Sequence, residues 1–253
     1  MHCSPNFENG QGDPKCLAAA RGWGECVRIL YVNGPELVLA SNSPRRRELL
    51  ALGGWTFNSR PADVDESQRP GETPKAYVLR LAESKARTCA GPAPLESIIL
   101  GADTTVVDGQ AILSKPKDPA EAAGMLHSLR GHSHQVLTGL ALLRTGDGTL
   151  VTDLCCTDVP MRDYREDEIE AYVASGDPLD KAGAYAIQHT DFHPVESLGG
   201  CYASVMGLPL CHLTRSLRSL GVAPLTDIAA ECQSALGYVC PISSAVLRGE
   251  MVG

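Results

Sequence analysis

The run Leu37-Val38-Leu39-Ala40-Ser41-Asn42-Ser43-Pro44-Arg45-Arg46-Arg47 limits the folds open to this chain more than any other stretch. Four aliphatic residues read as a buried strand, and Ser41-Asn42-Ser43 as a tight loop. Pro44 then occupies a first helical position with Ser43 as its cap, in a helix reaching about Gly53. A strand that turns directly into a helix is the unit of an α/β fold. The junction also points free backbone N–H groups and the positive end of the helix dipole at one spot, which suits an anion. Cations in a first helical turn oppose that dipole, so Arg45, Arg46 and Arg47 make sense there with an anion between them. Two serine hydroxyls and the guanidinium forks can take phosphate oxygens bidentately. The competing reading is an ordinary solvated basic turn.

Further elements follow in order. Thr73-Pro74 opens a helix with Tyr77, Val78, Leu81 and Ala82 on one face, and Ser97–Ala102 reads as a strand. Val106–Leu113 reads as a hairpin, with Asp108-Gly109 at the two positive-φ positions of a type I′ turn. Asp118-Pro119-Ala120-Glu121 is a capping box for a helix ending near Gly131, and Asp163 with Glu166 forms another before a helix stopping at Gly176. Val136–Leu143 and Leu150–Met161 alternate as paired strands. Hairpins among helices imply a mixed sheet with flanking helices. Residues 1–34, rich in Gly, Asn, Pro and Cys, read as an extension with a short helix around Cys16–Ala20. Residues 223–253 read as a tail in which Ile228–Leu236 can form one more helix. That leaves 36–222 as the domain.

Composition removes some functional classes. The net charge is −8 and aromatics make up only 5%, which disfavours nucleic acid or an anionic membrane as partner. No run approaches the roughly 18 apolar residues of a membrane helix, and no secretory signal is expected at the start. The ten cysteines contain no C-x-x-C pair, so zinc spacings are missing and reduced thiols in a cytoplasmic protein are expected.

Gly101-Ala102-Asp103-Thr104 places an aspartate at the carboxyl end of a buried strand, where α/β sites usually lie. A free carboxylate of pKa ~3.9 is a weak base and needs help, most simply from a divalent cation that acidifies water. Lys85, Lys115 and Lys181, taken singly, read as surface lysines. Asp65-Glu66 reads as an acidic turn able to hold a metal. His132, His134, His189 and His193 give no supported metal spacing, since Asp191 and Pro194 oppose a helix at the last pair.

Taken together, Leu39–Arg46, Gly101–Thr104, Ser114-Lys115-Pro116, Asp180–Gln188 and Met206-Gly207-Leu208-Pro209-Leu210 resemble the Maf family in order and spacing over about residues 36–222. The resemblance implies a nucleoside triphosphate pyrophosphatase that releases a nucleoside monophosphate and pyrophosphate with the help of Mg²⁺ or Mn²⁺. It implies two lobes around a nucleotide cleft, similar to inosine triphosphatases. By motif, Asp103 is the proton acceptor, and Ser41, Ser43, Arg45, Arg46, Glu66, Lys85 and Lys115 form the polar shell. Arg45, Thr104 and Gln188 match the positions used for base choice in the dTTP/UTP-cleaving branch. That branch continues after the glutamine with Gly-x-Gly; here His189–Glu196 follow, so UTP and dTTP are expected as substrates with a loosened preference.

A nucleotide-binding regulator of cell division that does not cut is the rival reading. Asp103 argues against it, because a pure binder gains nothing from a carboxylate beside phosphates. The preferred metal, the exact base and the oligomeric state, a homodimer being one option, stay open.

Overall fold

The computed structural model describes residues 35–253 other than Pro92, so the expected helix at Cys16–Ala20 lies outside the described residues. The strands are β1 (Leu37–Leu39), β2 (Phe57–Ser59), β3 (Ile98–Asp108), β4 (Ala111–Leu113), β5 (Ser133–Arg144) and β6 (Leu150–Pro160). The helices are α1 (Pro44–Ala51), α2 (Pro74–Ala90), α3 (Pro119–Leu129), α4 (Glu166–Ala174), α5 (Tyr202–Val205), α6 (Leu210–Ser219), α7 (Ile228–Leu236) and α8 (Ser243–Leu247). The strands form one mixed sheet in the order β2-β1-β3-β5-β6, with β4 on the far part of β3. β1 runs parallel to β2 and β3, whereas β3, β5 and β6 are antiparallel neighbours. The mixed α/β architecture expected from the sequence is therefore present.

Alternation along β3 divides the sheet into two faces. Ile98, Leu100 and Ala102 face a core shared with Leu49, Leu50, Leu140, Leu142, Leu213 and Leu217. Ile99 faces the opposite way, toward Ala82, Ala86 and Cys89 of α2. Gly101 belongs to this second face, and a Cβ there would overlap the Ala82 carbonyl oxygen. The missing side chain lets α2 settle directly on the strand. A third cluster, around Leu126, Leu129, Val159, Tyr164, Tyr172 and Phe192, continues the first face farther along the sheet, through Val106 of β3 and Val136 of β5.

Helix starts follow local chemistry. Ser43 Oγ accepts from Arg46 N, Thr73 Oγ1 from Ala76 N and Asp118 Oδ1 from Glu121 N, each ahead of a proline at the first helical position. The last expected cap is displaced: α4 begins after Arg165, whose N–H donates to Glu168, while Asp163 takes no part in it. Three acidic residues in its first turn suit the dipole and extend the choice of start beyond one box. The β3–β4 hairpin also differs in detail. Asp108 pairs with Ala111, so the loop is Gly109-Gln110, and only Gly109 has positive φ. That is the pattern of a type II′ turn, with Asp108 left in the strand.

Ile228–Leu236 is helical as expected, capped by Asp227 and ended by Gly237 in the left-handed region. Ile228 and Cys232 join the core beside Leu213 and Leu217, and Val246 of α8 is fully buried. Trp55 Nε1 donates to the Ala223 carbonyl and Thr226 Oγ1 to that of Leu52, which fastens the segment to the end of α1.

Candidate functional site

β1 stops at Leu39, opposite Leu100, but β3 continues to Asp108 because β5 still pairs with it. Asp103 is therefore inside a long strand and not at a strand end, as the sequence suggested. The vacancy beside it is made by the shorter neighbour. A cleft of about 470 Å³ opens there, between Ala40–Arg46 with Pro61, Ala62 and Glu66 on one side and Asp180–Ala182 with Tyr185–Gln188 on the other. Lys85, Thr104, Lys115 and Val205–Gly207 complete its walls.

Lys85 reaches the cleft floor because it lies on the buried face of α2, in step with Val78, Leu81, Ala82, Ala86 and Cys89. Its Nζ lies 2.6 Å from Asp103 Oδ1 and 2.8 Å from Glu66 Oε1. One ammonium thus gathers two carboxylates, and Lys85 is buried where the sequence read a surface residue. Glu66 comes from the loop before α2, held by a 2.8 Å hydrogen bond from Tyr77 OH to the Glu66 carbonyl and by the Arg80–Glu72 pair. Burial pushes the Asp103 carboxyl up, against the pull of Lys85 and Arg46. At Glu66 desolvation also pushes upward, but the Lys85 hydrogen bond and charge outweigh it and hold that carboxyl down. Two neighbouring carboxyls driven in opposite directions are the pattern of a site that divides acid–base labour. Among the described residues Asp103 Oδ2 has no hydrogen-bond partner, so it is free to accept a proton.

The loop before α1 divides its groups differently from the sequence expectation. Ser41 Oγ accepts from Ser43 N at 3.1 Å and Ser43 Oγ accepts from Arg46 N at 3.4 Å. Each hydroxyl therefore keeps its own hydrogen for an anion. Arg46 is already engaged: Nε donates to the Gly207 carbonyl at 2.9 Å, Nη1 to Ser41 Oγ at 3.3 Å and Nη2 to Thr104 Oγ1 at 3.2 Å. Burial lowers its pKa in turn. Arg47 turns back on the Asn42 carbonyl. Arg45 alone of the three has no protein partner among the described residues, and it lines the cleft. The three arginines divide into one fork without a protein partner among the described residues, one internal strut and one loop brace. Lys115 and Gln188 are exposed on the opposite rim, also without protein partners among the described residues.

The cleft thus brings Ser41, Ser43, Arg45, Arg46, Glu66, Lys85, Thr104, Lys115 and Gln188 together; Asp103 is not part of the lining but pairs with Lys85, which is. The sequence reading missed Thr138, which hydrogen-bonds Thr104 at 2.9 Å, and the Gly207 carbonyl that receives Arg46. A polar residue on the inward face of β5 was the available signal for the first. Lys181 was also misjudged: it is buried, with Nζ on Asp180 Oδ1 at 2.6 Å and Asp177 Oδ1 at 2.9 Å, bracing the far rim.

The loop His189–Glu196, expected to loosen the base preference, packs elsewhere. None of these residues lines the cleft. His189 Nδ1 accepts from Phe192 N, and the Phe192 ring stacks on Tyr172 at 4.3 Å with 12° between planes. Aromatic burial draws the loop onto Tyr172 of α4.

With the geometry in place, the sequence profile described as Maf-like protein matches residues 36–220. The chain belongs to the Maf family. Curated Maf relatives are similar over most of their length. A dTTP/UTP pyrophosphatase from Dehalococcoides mccartyi is 41% identical over 76% of this chain and 85% of its own. One from Anaeromyxobacter dehalogenans is 45% identical over 74% and 95%, and one from Citrifermentans bemidjiense 46% over 74% and 96%. Among solved structures, a dITP/XTP pyrophosphatase from Mycobacterium abscessus aligns at 14% identity with a TM-score of 0.37, too distant to bear on this Maf chain. No helix among the described residues is long and apolar enough to cross a membrane.

Proposed function

We propose that this chain hydrolyses the α–β phosphate bond of UTP and dTTP, giving the nucleoside monophosphate and pyrophosphate. The observation that carries this reading is the Glu66–Lys85–Asp103 cluster, set beside an unengaged arginine fork and a helix N-terminus. The phosphates take Ser41 Oγ–H, Ser43 Oγ–H, Arg45 and Lys115. Asp103, its basicity raised by burial, accepts the proton of the water that attacks the α-phosphorus, and pyrophosphate leaves. Lys85 fixes Asp103 Oδ1 and leaves Oδ2 to take the proton. Gln188 offers an amide N–H to O4 of the base. The relatives named dTTP/UTP pyrophosphatase support this substrate class. Because the histidine-rich loop packs away from the cleft, the reason for expecting a loosened preference falls away.

The chemistry also suits a divalent cation. No group of three or more His, Cys, Asp or Glu side chains converges among the described residues, as a protein-built metal cage would require. A hard dication that keeps water and phosphate oxygens needs only one or two carboxylates; Glu66 would hold it, leaving Asp103 Oδ2 for the proton. Mg²⁺ or Mn²⁺ held by Glu66 would supply charge neutralisation for the triphosphate and a more acidic water. We assign the activity to residues 36–222. The cysteines in the described part are all free, which suits a reducing compartment such as the cytoplasm. A regulator that only binds has no use for a proton acceptor under the phosphates. The test is direct: purified protein is incubated with UTP, dTTP, CTP, GTP and ATP in Mg²⁺ or Mn²⁺, and products are separated. Monophosphate plus pyrophosphate from UTP is expected; binding without product supports the regulator.

A further inference from the structure

Thr104 of β3 stands directly across from Thr138 of β5. Thr138 is completely buried. Its Oγ1 lies 2.8 Å from the carbonyl oxygen of Ser204. A carbonyl oxygen can only accept, and a threonine hydroxyl has one hydrogen, so Thr138 donates that hydrogen to Ser204. The 2.9 Å contact between the two threonine hydroxyls must then be donated by Thr104. Thr104 has no hydrogen left. Arg46 Nη2 donates to it at 3.2 Å and occupies one lone pair. What Thr104 still offers to the cleft it lines is an acceptor and nothing else.

We propose that Thr138 is a specificity-determining positioning residue: by fixing the direction of the chain Arg46→Thr104→Thr138→Ser204, it makes Thr104 accept only, and so selects pyrimidines carrying N3–H. Uracil and thymine have that hydrogen. Cytosine has a bare N3 lone pair, which meets the Thr104 lone pair without a hydrogen between them. A hydroxyl free to rotate would accept from one base and donate to the other, and would not discriminate. The direction is imposed from within the sheet, at a residue that no substrate touches. Sites built around a particular donor or acceptor reject the mismatched analogue strongly, because the buried group is left unpaired.

This inference rests on the pyrophosphatase reading above, and its test is separable from it. kcat/KM for UTP and CTP is measured in the parent, Thr138→Val, Thr138→Ser and Thr104→Val, with thermal melting of each. Thr138→Val removes the acceptor while keeping the shape, so Thr104 regains a donor. The UTP:CTP ratio is expected to fall about tenfold or more, chiefly by a gain for CTP. Thr138→Ser keeps the hydroxyl and should retain the parent ratio. Should Thr138→Val fail to fold, Thr104→Val reads the same preference: removing the acceptor lowers UTP cleavage selectively and collapses the ratio. If UTP and CTP fall in parallel in the valine variants, or the ratio stays within twofold of the parent, the proposal is overturned. A parent that cleaves no triphosphate instead overturns the pyrophosphatase reading.

Discussion

Lys85 Nζ donates to Asp103 Oδ1 at 2.6 Å, with each side chain only about a tenth exposed (11% and 10%). A pair this deep holds the proposed active-site cleft and the packing of α2 in one contact. Breaking a buried pair by removing one partner typically costs about 3–5 kcal/mol. Asp103→Asn keeps a polar partner for Lys85 and the Glu66 contact, so the fold should survive. Turnover should drop about 10²–10⁴-fold, measured as pyrophosphate release. As the proposed base, the same residue should set a pH limb. A proton acceptor works ionised, and burial raises this carboxyl, so kcat/KM should decline with falling pH earlier than an ordinary aspartate would allow. The limb should vanish in Asp103→Asn, and a parent limb at the ordinary aspartate value would speak against Asp103 as base.

Arg45 and Arg46 should separate cleanly. Arg46 makes three protein hydrogen bonds, to Ser41, Thr104 and Gly207. Arg46→Ala should lose about 2–4 kcal/mol of stability along with activity. Arg45→Ala removes a fork with no protein partner among the described residues, so its denaturant midpoint should hold while KM for the triphosphate rises about tenfold or more. Equal destabilisation of both variants contradicts this division.

Gln188 faces the cleft with an uncommitted amide. Gln188→Ala should cut kcat/KM for UTP and dTTP by about 10–100-fold and leave GTP and ATP little changed. A parent ranking led by a purine triphosphate, unaltered in the variant, removes Gln188 from base recognition.

Truncation after Gly221 should be destructive. It removes Ile228, Cys232 and Val246, buried at 2%, 9% and 0% exposure. Ile228→Ala alone should cost about 2–4 kcal/mol in urea denaturation. A truncated chain melting like the parent would show that α7 and α8 do not support the core.

His134 makes stability depend on pH. Its Nε2 pairs with Tyr185 OH at 2.8 Å, and burial pushes its pKa down to about 4. The folded state therefore favours the neutral ring. That contribution is complete above the unfolded value of ~6.5 and is lost as pH falls from there to about 4. Melting temperature should drop across this window by on the order of 5–10 °C. His134→Gln should flatten the decline, as followed by circular dichroism.

Sequence alone determined what depends on neighbours along the chain. Ser43-Pro44, Thr73-Pro74 and Asp118-Pro119 start helices because a short oxygen side chain meets backbone N–H groups only a few residues away. The apolar face of α2 and the strands around the Gly146–Gly148 turn were legible because helix and strand periodicities are local. The resemblance collected the cleft residues, since motif order survives without knowledge of contacts. Only the tertiary structure decided how those residues divide their work. Arg45 and Arg46 are adjacent and chemically identical, yet Gly207, a remote carbonyl, takes one and leaves the other free. Lys85 looked like a surface lysine until the close seat at Gly101 brought α2 onto Asp103. Thr138 carries no motif at all; its hydrogen is assigned by Ser204, a partner that enters only when α5 packs on β5. Hydrogen-bond direction and burial belong to groups brought together by packing, and no local pattern encodes which partner arrives.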